Sequence, residues 1–377
     1  MKKGKRFSLL AVALAVCLLF SGCTDSKELT EIIPVVGVGI DDAGDDLTKL
    51  TLQLGYVGNS SEKEKAKTET LTYEKTGKNI FNMFRDCARE SSHKLFIGHN
   101  QCIIFGKEDA AKGIKDQLDL FLRDHEGRID VSILVSDSTA NEILTTKSEM
   151  SPMSALEITQ LLNNQQATSE STDVDLLEFL SKLEKKTTCP VTSLIKVDKQ
   201  SNPPRLELSG LAVFKDDKMV GELDKNKARG YLWAVNRVES GTVDVQTEYG
   251  RASLEICSSS SSLNPSVKED GTISVPITVK TELGIRELVG FENQNAETIE
   301  KELQEAAIER IKGRVLSCFQ ATQSYQADIY GIGTLISQTQ PEKWKNIQEN
   351  WDDLYSKITP EINAEVTIKD SGKILRS

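Results

Sequence analysis

One stretch near the start of the chain constrains everything that follows it. Lys2, Lys3, Lys5 and Arg6 precede fourteen uncharged residues, Phe7–Phe20, and no acid occurs before Asp25. Wound as a helix at ~1.5 Å per residue, such a run falls well short of a ~30 Å hydrocarbon core. A basic start followed by a short apolar segment is instead the pattern of a secretory signal. No later segment is apolar over a spanning length: Ile32–Ile40 is strand-sized and interrupted by Pro34, Gly37 and Gly39. The rest of the chain is therefore expected to fold in water on the far side of a membrane.

The apolar run ends in Leu19-Phe20-Ser21-Gly22-Cys23. Small residues directly before a cysteine resemble the bacterial lipobox, in which the thiol is diacylglycerylated and residues 1–22 are removed. Phe20 stands where Leu is commoner. Two acyl chains on one residue anchor firmly, because each buried CH₂ contributes about 0.8 kcal/mol and a single chain is marginal. Cys23 is thus the expected lipidation site; the alternative is an ordinary signal cut elsewhere, with Cys23 incidental.

Charge follows the same division. The 377 residues hold 46 Lys+Arg and 57 Asp+Glu, a net −11. The four leading cations depart with the signal, leaving 42 basic against 57 acidic residues, a net −15. An acidic body lacks the clustered cations that displace phosphate counterions, so nucleic acid is excluded as a partner. It is also repelled by anionic lipid, so contact with a membrane falls to the anchor. Of seven cysteines, Cys17 leaves with the signal and Cys23 carries lipid, leaving Cys87, Cys102, Cys189, Cys257 and Cys318. They are dispersed, odd in number and without C-x-x-C spacing, so buried free thiols are expected for most of them, with one disulfide pair left open.

Periodicity predicts strands alternating with helices, a mixed α/β layering. Strands are expected at Ile32–Ile40, Leu47–Val57, Thr68–Tyr73, His99–Gly106, Ile129–Val135 and Cys189–Val197, with a charged loop at Ser61–Lys67. Helices are expected over Gly77–Arg89, with Ile80, Phe81, Phe84 and Ala88 as the apolar stripe, and over Asp109–His125, with Ile114, Leu118, Phe121 and Leu122. Ser148–Gln166 and Asp173–Lys185 follow as loop-helix and helix. Leu206–Phe214 and Met219–Leu223 form a hairpin around Asp216-Asp217, and Asp224 is placed to N-cap Lys225–Ala234. Strands at Thr242–Thr247, Arg251–Ser259, Thr272–Lys280 and Glu282–Val289 come next, with Ser258–Ser262 as an exposed strand continuation. Asn295–Ala321 is the longest helix, with Ile299, Leu303, Ala306, Ala307, Ile311, Val315 and Leu316 in one stripe. Pro341–Ile358 is a helix and Glu361–Lys369 the closing strand. The division expected is 1–22 signal, 23–190 N-terminal mixed α/β domain, 191–250 middle domain and 251–377 C-terminal α/β domain, the sheets mixed but largely antiparallel and flanked by helices.

No residue pattern points to catalysis. The chain lacks a G-x-S-x-G elbow, H-E-x-x-H, a P-loop and a complete G-x-G-x-x-G. Gly37-Val-Gly39 reads as close backbone packing. His93 and His99, six apart with Cys102 near, lack the spacing of a helical metal pair, and satisfied or exposed histidines are the simpler reading. Asp41/Asp42, Asp45/Asp46 and Asp216/Asp217 fall in turns, where Asp bends and caps the backbone, and none has the regular oxygen spacing of a calcium loop. Tyr231, Trp233, Trp344, Trp351 and Tyr355 read as core, with a partner or ligand surface as the alternative. No catalytic, cofactor-binding or metal residue is assigned, and no cofactor is expected.

Taken in order, several tracts resemble a known family. Cys23-Thr-Asp-Ser-Lys-Glu-Leu29 followed by Val35-Val-Gly-Val-Gly-Ile-Asp41 looks like the mature start of Ger(x)C lipoproteins, the C subunits of spore nutrient germinant receptors. Leu95-Phe-Ile-Gly-His-Asn-Gln-Cys-Ile-Ile-Phe-Gly106, then Gly113-Ile114 and Leu118-Asp-Leu-Phe-Leu-Arg-Asp124, is similar to its central motif. Leu208-Ser-Gly-Leu-Ala-Val-Phe214 with Gly221, Asp328-Ile-Tyr-Gly-Ile-Gly333, and Trp344 with Trp351 complete the set. The family usually has Trp-Asp after the lipidated cysteine; here Thr24-Asp25 stands there. The resemblance implies three mixed α/β domains of unusual topology. It further implies a lipid-anchored, non-enzymatic subunit on the outer face of the inner spore membrane, working with integral A and B subunits in the response to nutrients. The rival expectation is a solute-binding lipoprotein serving a transporter, which a duplicated two-lobe pattern would support; none is visible.

Overall fold

The computed structural model describes residues 32–57, 68–124, 126–147, 151–185 and 187–369. The expected signal 1–22, Cys23, the Ser61–Lys67 loop and His125 lie outside the described residues.

Strand β1 (Ile32–Gly44) is the spine of the first half. β2 (Leu47–Val57) and β3 (Thr68–Gly77) pair antiparallel on one side of it. The hairpin turn at Gly44-Asp45-Asp46 takes three positive φ values, the left-handed backbone that Gly and Asp tolerate. Helix α1 (Ile80–Glu90) starts at Asn79, whose side chain accepts from Asn82 N, and leads to the short β4 (Lys94–Phe96), parallel to the first residues of β1. β5 (Cys102–Phe105) lies parallel to β1 further along. Helices α2 (Lys107–Lys112) and α3 (Lys115–Arg123) follow where one helix over Asp109–His125 is predicted. Gly113, at φ +123°, ends α2 and starts a new axis, so the apolar spacing continues across a break that periodicity cannot register.

β6 (Ser132–Ser136), helix α4 (Ala140–Thr145), helix α5 (Ser154–Asn163), helix α6 (Leu176–Leu183), β7 (Val191–Asp198), β8 (Arg205–Lys215) and β9 (Lys218–Asp224) complete a nine-stranded mixed sheet. Its order is β3-β2-β1-β5-β6-β7-β8-β9, with β4 paired to β1. β7 is hydrogen-bonded to β6, so the ladder runs on across position 190/191, where the sequence places a domain boundary. Successive residues of β1 and β5 serve opposite faces: Val35, Val38, Ile103 and Phe105 join one apolar cluster, Val36, Cys102 and Ile104 another. Burial on both faces is why these strands read as continuous apolar runs.

Helix α7 (Lys225–Ala234) is capped by Asp224, which accepts from Asn226 N and Lys227 N as its position predicts. β10 (Thr242–Gln246), β11 (Arg251–Leu263), β14 (Pro276–Val289) and β15 (Glu361–Lys369) form a four-stranded sheet, and β12 (Ser266–Val267) with β13 (Ile273–Ser274) a two-stranded one. The strands expected at Thr272–Lys280 and Glu282–Val289 are largely one element, because Thr281 continues the ladder instead of turning. Ser258–Ser262 is paired strand, as expected. Helix α8 (Ala296–Ser324), 29 residues long, buries Ile299, Leu303, Ala307, Ile311 and Val315 in the core it shares with this sheet, whereas Ala306 is half-buried and Leu316, at the edge of the predicted stripe, is 38% exposed. Helix α9 (Ile332–Thr339), like α4, is not anticipated from periodicity; both are under nine residues. The expected helix Pro341–Ile358 is three pieces: α10 (Pro341–Ile347), a 3₁₀ turn (Gln348–Asn350) and α11 (Trp351–Tyr355).

Candidate functional site

The sequence-singled residues separate cleanly once placed. Asp41 is buried and accepts from Ala140 N and Asn141 N, capping α4 from across the fold. Asp42 pairs with Lys112 at 2.6 Å. Asp45, Asp46 and Asp216 hold turns at positive φ, and Asp217 accepts from Lys115 N. Trp344 and Trp351 meet edge-on at 5.1 Å, and Tyr231, Trp233 and Tyr355 are also buried, so all five belong to the core. His99 lies edge-on to Phe96 and His93 Nδ1 is 2.8 Å from Ser92 Oγ. Among the described residues no three His, Cys, Asp or Glu side chains gather as metal ligands. The thiols of Cys87, Cys102, Cys189, Cys257 and Cys318 are free. Burial pushes that of Cys102 up to about 12, a poor nucleophile. Cys257 departs from the expectation of burial: it points outward from β11.

Gly37 and Gly39 explain themselves by contact. A Cβ on Gly37 would lie 2.9 Å from Ala155 Cβ and from Leu144 Cδ2; one on Gly39 would lie 3.0 Å from Ala140 Cβ. α4 and α5 thus press directly onto β1. Gln53 locks the arrangement, donating to Leu144 O at 2.7 Å and accepting from Ala155 N at 2.9 Å.

The opposite face of β1 carries a different surface. α1 and α3 flank a groove of about 970 Å³ that β4 borders. α1 buries Ile80, Met83 and Cys87 beneath it, not the full predicted stripe: Phe81 is 48% exposed, Phe84 half-buried and Ala88 exposed. α3 buries Leu118 and Phe121, whereas Leu122 is 51% exposed. Both helices have more apolar residues than their buried faces use, and Phe81, Phe84 and Leu120 line the groove. The Arg85 guanidinium lies over the Phe81 ring, 5.1 Å from its centre. Arg123 is paired with Asp119 and Lys94 with Glu126 at the rim. Aromatic and aliphatic surface ringed by paired charges suits recognition of a partner's apolar side chains. It offers no nucleophile–base arrangement. The signal in the sequence was double: Phe81 and Phe84 widen the apolar stripe beyond the face that Ile80, Met83 and Cys87 bury.

Residues 25–197 match the family described as the spore germination protein N-terminal domain, and residues 209–372 match the spore germination B3/GerAC-like C-terminal family. The chain belongs to the GerAC-like spore germination family. Spore germination protein A3 of Bacillus subtilis is 25% identical over 96% of this chain and 97% of its own length. Spore germination protein KC of the same organism is 23% identical over 97% and 96%. GerQC of Bacillus cereus is 22% identical over 97% and 98%. The crystal structure of the GerBC protein superimposes with a TM-score of 0.54 at 18% identity, covering 89% of this chain and 97% of that one. The family's fold, mixed α/β, is therefore this chain's fold. Among the described residues no helix is long and apolar enough to cross a membrane.

Proposed function

We propose that the chain is a lipid-anchored, non-enzymatic subunit of a spore germinant receptor. It acts with integral A and B subunits on the outer face of the inner spore membrane, and its α1/α3 groove receives an apolar segment of an integral partner. The observation that carries this reading is the position of the groove. β1 begins at Ile32, nine positions after Cys23, and its first residues pair with Lys94–Phe96 of β4 at the groove's edge. Nine residues reach at most about 30 Å at ~3.3–3.6 Å each. A lipid on Cys23 would keep the groove near the bilayer, where an integral partner is at high effective concentration. Full-length similarity to spore germination proteins supports the same assignment.

The test is Cys23→Ala in the native spore. The expected result is an intact soluble fold with strongly impaired germination in response to nutrients. Normal germination by spores whose protein is verifiably unlipidated would overturn the proposal.

A further inference from the structure

In the other apolar core, α7 and α8 touch backbone to backbone: a Cβ on Gly230 would run into the Arg314 carbonyl. Beside that contact lies a cleft of about 390 Å³, walled by Lys227 on one helix and by Arg310, Gly313 and Arg314 on the other. A Cβ on Gly313 would meet nothing within 4 Å, so the cleft is open there. Arg314 is half-buried, its guanidinium carbon 5.9 Å from the centre of the Trp233 ring. Its Nε and Nη1 are sealed from solvent without a hydrogen-bond partner, so Nη2 is the accessible edge.

The surrounding charges leave this arginine unanswered. Arg229 spends its guanidinium on the Thr168 and Thr242 carbonyls and on Glu170. Lys227 is held by Asp224 at 2.6 Å, and Glu309 leans on Lys312 at 3.9 Å. Arg310, exposed and one turn before Arg314, has no carboxylate within 4.0 Å among the described residues. Two like charges at i and i+4 repel, and burial with the neighbouring charges of Arg229 and Arg310 pushes Arg314 down to about 10. Guanidinium forks match the oxygens of phosphate, and a dianion answers two of them at once.

We propose that the α7/α8 cleft binds a phosphate dianion, free or as a phosphomonoester, between Arg310 and Arg314. Trp233 holds one edge of Arg314 and leaves the other to the ligand. Asp224 and Glu309 also line the cleft, each facing a lysine, Lys227 and Lys312, which leaves the two arginines as the anion's partners.

Calorimetric titration of the full chain in detergent with inorganic phosphate, at constant ionic strength, tests this. Saturable one-site binding is expected, weakened at least tenfold by Arg310→Gln or Arg314→Gln and unchanged by Lys301→Gln on the same helix. Arg310 is exposed, so its variant keeps the fold if Arg314→Gln does not. Competition then separates the sources: vesicles containing phosphatidate that abolish the phosphate heat mark a lipid headgroup, and vesicles that leave it intact mark phosphate in solution. Either result supports the site. Absence of saturable binding, or binding that survives the Arg310→Gln/Arg314→Gln pair, overturns it.

Discussion

The carboxylate of Asp41, on β1, accepts from the backbone N–H of Ala140 at 2.7 Å, so a strand residue caps a helix 99 positions later. Its second oxygen takes Asn141 N at 2.9 Å. Thr139 occupies the local cap position of the same helix and accepts from Glu142 N, leaving the earlier donors to Asp41. Asp41→Ala orphans two N–H groups in a buried place and is expected to cost about 2–3 kcal/mol. Asp41→Asn, which keeps one acceptor, should cost less than half of that. Urea unfolding of the two variants checks the order; equal losses would mean the site is valued for packing and not for its acceptors.

Asp109 sits on α2, buried, with Oδ1 accepting from Gln117 and Oδ2 without a partner. Burial pushes its carboxyl up to about 7 from 3.8, and the nearby charges of Asp41 and Asp42 add to that. The folded protein then holds a proton that the unfolded chain releases, so stability falls as pH rises from about 4 to about 7. Asp328, wholly buried and pushed up to about 6, acts in the same direction. At about 1.36 kcal/mol per pH unit the Asp109 contribution is bounded by roughly 4 kcal/mol. Asp109→Asn should therefore stabilise the protein at pH 8 by about 1–3 kcal/mol and flatten the decline. A urea midpoint series from pH 4 to 8 reads both; an unchanged slope would show that Asp109 ionises freely.

The contact between β1 and the α4/α5 pair predicts a steep response at Gly37. A branched side chain there would meet Ala155 and Leu144, both fully buried and unable to withdraw. Gly37→Val is expected to cost about 3 kcal/mol or to prevent folding, by overpacking. Gly271, whose Cβ would meet nothing but which lies at φ +84°, is the comparison: Gly271→Ala should cost about 1 kcal/mol, through backbone strain alone. Thermal unfolding in parallel distinguishes the two causes.

These cases show what local pattern carries and what it does not. Asp224 as N-cap, the hairpin of β8 and β9, the strand β15 and the stripe of α8 follow from residues within one or two turns, where propensity and periodicity act. The breaks at Gly113 and at Gln348–Asn350 do not, because apolar spacing is preserved across them while the axis changes. α4 is six residues long and takes a second cap from Asp41 on β1, a partner that no window around the helix contains. The groove was half legible: α1 carries more apolar residues than one face can bury, and only packing against the core shared with β1 and α3 decides which of them stay outside.

Phe81 is the residue on which that last point can be tested. Its ring is 48% exposed and supported by Arg85, while Met83, two positions on, is 3% exposed in the core beneath. Phe81→Ser should leave stability within about 0.5 kcal/mol, as for surface changes away from packed features. Met83→Ala should cost about 2–4 kcal/mol through the cavity it leaves. If the groove receives an integral partner, Phe81→Ser spores will respond several-fold more slowly to nutrients with normal amounts of folded protein. Crosslinking from position 81 to the integral subunits should fall in parallel. An unaltered response, with the protein present and folded, would move the docking surface elsewhere on the molecule and leave the exposed ring without a role in assembly.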